Sequence, residues 1–371
     1  ITFIVFCMLV LCSSSFNSNT WHGFSYMCIV FLLLICSYSV LCVRDCFSFL
    51  LILEILQLIV VMILLQNSSF SSLYILISGF VLTIFTMIVL LLCVCIIGDT
   101  DVFYSNCIFS CSFIQNSLNF VYVILLSKLY FFPFYIFITI IYNTLTIDIY
   151  LLISLVISIF VLIMVSSLFS DFISSSSLWT FYFLCMFSLI VTSILFIDAS
   201  MLNVFLGYSF SITAHIVLLL CLILGSVVEN YLLLYFLLYT MCQFGIMHII
   251  SSIEINTFHN YSIDNFRGFG NFSVFSAVVF IIILSIFLGT PPSFVFFIKL
   301  DLYYQLWLLN IFSYIVIPLL ISLIGWTYMR IIRTVCLGNV TLYDCTSNIY
   351  IQSKLCIFSI MCCIIICISL L

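Results

Sequence analysis

Charge is what this sequence has least of. Its 371 residues include only 7 Lys and Arg and 12 Asp and Glu, so charged side chains make up 5% of the chain. A soluble domain carries several times that share, so a soluble globular protein is excluded. Histidine is almost as rare, at four residues. They do not form the pairs on facing helices that a cytochrome b-like haem protein needs, and an oxidase core subunit would need more of them. Seven basic residues offer no patch for nucleic acid. There is no glycine-rich dinucleotide fingerprint and no cysteine cluster for iron. Proline is limited to four positions and glycine to eleven, so each proline carries weight as a helix breaker.

What is there is apolar. Hydrophobic residues account for 67% of the chain, in runs of about 20 that recur from end to end. The runs are continuous, not alternating, which points away from a β-barrel. The expected fold is an all-α polytopic membrane protein of about 12 transmembrane helices, with residues 1–371 forming a single membrane domain. Residues 1–12 lack a basic leader and a small-residue cleavage site, so they count as a helix and not as a targeting peptide. The 19 cysteines lie mostly within apolar runs and read as small apolar fillers, not disulfides or metal ligands. An excess of Phe (41) and Tyr (21) suggests T-rich codon usage. Together with an opening Ile1 in place of Met, it suggests an organellar genome.

Two apolar segments, 107–142 and 270–307, are too long for a single span. Both contain proline: Pro133 in the first, Pro291 and Pro292 in the second. Each reads as a broken helix. Each is also the fourth segment in a set of five. One set fills 24–169; the other comprises 174–196, 201–224, 228–252, 270–307 and 311–333, and a last helix covers 355–371. Five spans per set would invert the second set, 174–333, against the first. Inverted repeats with paired broken helices are a transporter architecture. Arg267, Arg330, Arg333 and Lys354 fall in two loops expected on the same, inner side, with Arg44 beside Asp45 on the other.

A few ionisable residues lie inside spans: Glu54, Lys128, His215, His248, Lys299 and Asp301. Intramembrane charge is costly, roughly 2.5–3.5 kcal/mol on insertion scales, and marks function by default. Glu54 sits among Leu and Ile; it is either a proton-carrying acid or a buried carboxyl held by a hydroxyl. Lys128 lies five residues before Pro133, and Lys299 seven after Pro292; each either carries a proton or snorkels to a surface. Desolvation disfavours the charged form of both residue types, and pairing restores it. Bringing an acid and an amine together or apart can therefore take up or release a proton. His215 and His248 could link such sites, or could be neutral hydrogen-bonded side chains. In a helix, Asp301 would face away from Lys299, which makes it a weaker candidate.

These residues fall in stretches that resemble the antiporter-like subunits of respiratory complex I, most closely the NADH dehydrogenase subunit 2 family. Lys128-Leu129 with Pro133-Phe134 resembles that family's K-L-x-x-x-P-F-H-F stretch, with Tyr135 in place of His. The run from Gly207 to His215 is similar to A-Y-S-S-I-A-H with a local slip, and 231–245 to its Y-L-L-x-Y helix. Phe266-Arg267-Gly268, then Leu284 to Pro292, Phe296 and Lys299 resemble R-G-L followed by S-L-x-G-x-P-P-x-x-G-F-x-x-K. Tyr328-Met329-Arg330 resembles the next helix's Y-x-R. The likeness covers about residues 40–335.

The resemblance implies a proton-translocating subunit in a multi-pass mitochondrial inner-membrane complex, partnered by antiporter-like siblings, other membrane-arm subunits and lipids, and not by nucleic acid. It implies proton-transfer roles for Glu54, Lys128 and Lys299. It implies no cofactor in this chain; NADH, FMN, iron–sulfur clusters and ubiquinone would be used by other subunits, leaving no redox chemistry here. One departure stands out. The helix after the first broken one usually carries a further lysine, and 149–167 has none. That departure motivates a second reading, a structural subunit that has lost pumping; a stand-alone cation/proton antiporter is a third. The N-terminal end is also shorter than the family's bacterial form, as in some mitochondrial versions.

Overall fold

The computed structural model describes residues 175–224, 274–309 except Pro292, 311–337, and scattered positions elsewhere: Ile52, Glu54, Ile55, Leu58, Val81, Ile88, Tyr135, Tyr239, Cys242, Gln243, Gly245, Ile246, Ile249, Ile263 and Arg267. The chain divides into two compact units, Ile1–Phe181 and Tyr182–Leu371. In the first, Ile52, Glu54, Ile55 and Leu58 are helical, and Glu54 is buried at 1% exposure.

The second unit holds most of the described helical residues: α1 (Ser175–Ile197) from Tyr182 onward, α2 (Leu202–Leu224), α3 (Val274–Leu288), α4 (Phe294–Leu309) and α5 (Ile311–Leu337). They lie where the apolar segments of the second set were read, and described helical residues between Tyr239 and Ile249 fall within 228–252. The described part of the chain is therefore helical, as composition requires. Among the described residues, two helices are long and apolar enough to cross a membrane, Leu202–Leu219 and Tyr314–Cys336; Tyr182–Ile197 and Ala277–Leu288 are shorter apolar helices. Pro133, the 355–371 segment and all but seven scattered residues of the first five-helix set lie outside the described residues.

Helix α2 is buried along most of its length. Every residue from Leu202 to Leu219 is buried, as expected of a helix that is apolar on all faces. Its hydroxyls cost nothing in hydrogen bonds. Ser209, Ser211 and Thr213 each donate to the carbonyl three residues back, on Leu206, Tyr208 and Phe210. Ser188, Thr192 and Ser193 on α1 do the same. In a bilayer such self-satisfied hydroxyls are the affordable kind.

Helix α5 packs against both α3 and α4, α2 against α4, and α3 against α4. Gly325 lets α5 come close to the end of α3; a Cβ there would lie 3.0 Å from Leu288 Cδ1. Pro318 sits inside α5 without ending it. An aromatic chain ties the helices together. Phe196 stacks on Phe205 at 4.5 Å, both meet Tyr328 at 5.4 and 5.3 Å, and Tyr328 reaches Phe287 at 6.3 Å. Phe287 lies 4.7 Å from Tyr239, which meets Phe210 at 6.0 Å.

The outward faces are apolar too. Ile315, Leu319, Leu323, Trp326 and Met329 are exposed along α5, and Phe297, Leu300, Tyr304 and Trp307 along α4. Both sets repeat at helical spacing, so each is one face of its helix. On α4 the stripe is interrupted by exposed Asp301, four residues after Phe297. Apolar stripes of this kind mark surfaces for a bilayer or a neighbouring subunit.

Candidate functional site

The site is the gap between α3 and α4. A helix end leaves four carbonyls without intrahelical donors; for α3 these belong to Ser285, Ile286, Phe287 and Leu288. Gly289 adopts φ 79°, the left-handed conformation glycine tolerates best. That turns its N–H back to Ile286 O at 3.0 Å and brings Thr290 N–H to Ser285 O at 3.2 Å, the paired bonds of a Schellman cap. Ser285 O also accepts from Gly289 N–H at 3.1 Å and from Thr290 Oγ1 at 3.2 Å. Next comes a turn in which Ser293 N–H reaches Thr290 O at 2.9 Å. Pro291 holds the second position of that turn, the one its fixed φ suits, and α4 starts at Phe294.

The break therefore owes more to Gly289 than the proline pair suggests. The sequence reading assigned it to donors removed by Pro291 and Pro292. In the structure the helix has already ended at Gly289, and Pro291 shapes the exposed turn that follows. Pro292 lies outside the described residues.

Two carbonyls remain, and Lys299 takes both. Its Nζ donates to Leu288 O at 2.7 Å and to Phe287 O at 3.3 Å. The residue is 7% exposed. A charged amine here sits on the negative end of the α3 dipole, where a cation is favoured. The alternative of snorkelling to a surface is not what its side chain does: it folds back from α4 onto the end of α3. Asp301, two residues on, is exposed on another face, as the helical spacing requires.

Polar groups extend from this point. Phe287, whose carbonyl accepts from Lys299, carries the ring that packs on Tyr239. The Tyr239 hydroxyl shares a 2.9 Å hydrogen bond with Ser209 Oγ on α2. Two turns further along α2, His215 is fully buried and donates from Nδ1 to the Ser211 carbonyl, which fixes where that ring proton sits. His215, Ser209, Tyr239 and Lys299 are thus all buried in one unit. Glu54 belongs to the other unit, and Lys128 and His248 lie outside the described residues.

Sequence reasoning missed the part played by four residues. It gave Gly289 no role, though its place just after an apolar run and before proline is a helix-end signal. It did not single out Ser209 and Tyr239, because one hydroxyl in an apolar helix looks like any other. It read Arg330 as an inside-side charge and as the end of a Y-x-R resemblance, without a bonding role. Arg330 in fact donates from Nη1 to Ile197 O at 3.0 Å and from Nη2 to Ala199 O at 2.9 Å, closing the C-terminal end of α1. Cys185 and Cys242 are buried and Cys336 is exposed. Among the described residues no three His, Cys, Asp or Glu side chains come together as a metal site.

No family model and no curated protein matches the sequence. Solved structures do match the fold. A chain of respiratory complex I from Thermus thermophilus, solved with bound aureothin, superposes with a TM-score of 0.71 at 16% identity, covering 84% of this chain and 72% of that one. A chain of the membrane-bound sulfane sulfur reductase, an archaeal respiratory membrane complex, gives 0.78 at 16% identity, covering 95% and 75%. A chain of the Mrp complex from a Dietzia species gives 0.74 at 15% identity, covering 85% of this chain and 61% of that one. At such identities the likeness is one of fold: this chain shares the fold of chains in these three complexes.

Proposed function

We propose that this chain is a proton-translocating subunit of the membrane arm of complex I, of the NADH dehydrogenase subunit 2 type, working in the mitochondrial inner membrane. Quinone reduction elsewhere in the complex would drive proton steps here. The observation that carries the reading is the Lys299 amine, buried inside an apolar unit and held on two main-chain carbonyls at a helix break. An amine so placed can hold a proton without an acid beside it and give it up when the carbonyls move away. In this reading the two five-helix sets, 24–169 and 174–333, form inverted repeats. Lys128 before Pro133 is the first-repeat counterpart of Lys299, Glu54 is the acid that pairs with an amine, and His215 and His248 with nearby hydroxyls link the halves. The outward apolar stripes on α4 and α5 suit lipid and sibling subunits. Moving one charge against 100 mV costs about 2.3 kcal/mol, so access must alternate and no open pore can serve.

A second reading, a structural subunit without pumping, is favoured by the absence of lysine from 149–167. Protons pumped per NADH oxidised separate the two in membranes carrying Lys299→Ala or Glu54→Gln. A clear drop in either variant supports the pump, and unchanged pumping in both leaves the structural subunit.

A further inference from the structure

The end of α3 is a seat with little room in it. Gly289 lies over the Lys299 side chain. A Cβ on Gly289 would stand 3.0 Å from Nζ, 3.1 Å from Cδ and 3.4 Å from Cε. At the same position φ is +79°, a conformation that most L-residues avoid. One residue thus meets two independent demands. It ends α3 in a left-handed cap, which exposes the Phe287 and Leu288 carbonyls, and it leaves the space the amine occupies when it bonds to them. Gly325 offers a contrast. It is helical, and the atom its Cβ would meet is the far end of Leu288, not the lysine.

We infer that Gly289 is a positioning residue for Lys299: the missing Cβ, and not only the backbone freedom, lets the amine reach the two carbonyls at the end of α3. The functional weight of this role rests on the proton-transfer reading of Lys299 given above, but the seat itself can be tested without it. Asparagine separates the two demands. It tolerates the left-handed conformation better than other side-chain-bearing residues, so Gly289→Asn keeps the cap while filling the space. Gly289→Ala fills the space and strains the backbone as well.

The readout is the reactivity of the Lys299 amine toward a small membrane-permeant acylating reagent, measured by mass spectrometry on the full chain in its native membrane. An amine held on two carbonyls is protected; one pushed off loses a charge-assisted hydrogen bond, enough for about a tenfold rise in labelling. The expected result is that rise in both Gly289→Asn and Gly289→Ala, with less than a twofold change in Gly325→Ala. A rise in Gly289→Ala alone would overturn the inference, because backbone freedom would then be the whole role of Gly289. So would no rise in either variant, or an equal rise in Gly325→Ala, since crowding anywhere near the break would then suffice. Should Gly289→Asn accumulate poorly, Lys299→Ala in the same chain makes room and restores its level; failure to restore it overturns the inference too. Proton transfer measured on the same membranes stands apart. Labelling that rises while proton transfer is untouched keeps the seat and removes the pumping role of Lys299.

Discussion

Two helices in this unit end on a cation, and they do so differently. The C-terminal carbonyls at the end of α3 are taken by Lys299, those at the end of α1 by Arg330. The electrostatics are the same, a positive side chain on the negative end of a helix dipole. The surroundings are not. Lys299 is buried and comes from α4, just across the break. Arg330 is exposed on α5 and reaches back more than a hundred residues. Arginine stays charged and offers a fixed fork of donors; lysine can exist with or without its proton and pivots on a flexible stem. The difference separates a clamp, which closes the start of the unit onto its last described helix, from a buried lysine that in the proposed reading gives up and regains its proton.

Exchanging the two side chains is the strongest way to break this comparison. Lys299→Arg keeps a cation at the break but removes the neutral form. Proton transfer in membrane vesicles is expected to fall by more than tenfold, while the chain still inserts. Arg330→Lys keeps a cation but loses the fork, and proton transfer per inserted chain is expected to stay within twofold of wild type. Transfer that survives Lys299→Arg would mean that Lys299 is a clamp like Arg330.

Removing the clamp gives the next effect. Arg330→Ala strips two donors from the end of α1. Hydrogen bonds to charged groups are worth about 1.5–3 kcal/mol, less where water competes as it does at this exposed side chain. A loss of about 1–2 kcal/mol is therefore expected in a reversible detergent unfolding titration, with proton transfer per folded chain unchanged. A fall in transfer without a fall in stability would show that Arg330 does more than close the helix.

The sequence was legible where one residue type decides the outcome. Runs of Leu, Ile and Phe placed α1, α2 and α5 within a few residues, because a bilayer-length apolar run has few options other than a helix. The break in 270–307 was legible from length and proline, and Lys299 from the rarity of charge. What could not be read was where donors go. Nothing in the string says that Lys299 turns back onto Leu288 O, that Arg330 meets Ile197 and Ala199, or that Tyr239 and Ser209 share a hydrogen bond. Those contacts depend on the third dimension, and the residues making them are common in apolar helices. The break itself was read one step late along the chain, at Pro291 and Pro292, because proline announces itself and a left-handed glycine does not.

The hydroxyl pair behind the lysine site should have a smaller effect. Tyr239→Phe keeps the ring on Phe287 and removes the bond to Ser209. A net hydrogen bond contributes about 1 kcal/mol, so a stability loss of that order is expected in the same unfolding titration. If the pair also carries protons between α2 and the break, transfer falls in step in Tyr239→Phe. If it only packs the site, transfer per folded chain does not move. Ser209→Ala distinguishes these outcomes from the other side of the bond, since it leaves the tyrosine hydroxyl in place.

The smallest effect belongs to Gly325, and it tests whether closeness to the break is enough to matter. Glycine inside a helix costs about 1 kcal/mol relative to alanine, so Gly325→Ala gains on propensity. The new Cβ meets Leu288 Cδ1 at 3.0 Å, closer than comfortable contact, but a leucine tip can swing aside for a few tenths of a kcal/mol up to about 1. The two terms are of similar size and opposite sign. Net stability should therefore change by less than about 1 kcal/mol, with no effect on proton transfer. Gly325→Val adds bulk that one leucine rotation cannot absorb, and should cost about 1–3 kcal/mol. If Gly325→Ala alone were as damaging as a change at Gly289, the end of α3 would be intolerant of any added atom, and its tightness would not be specific to the lysine.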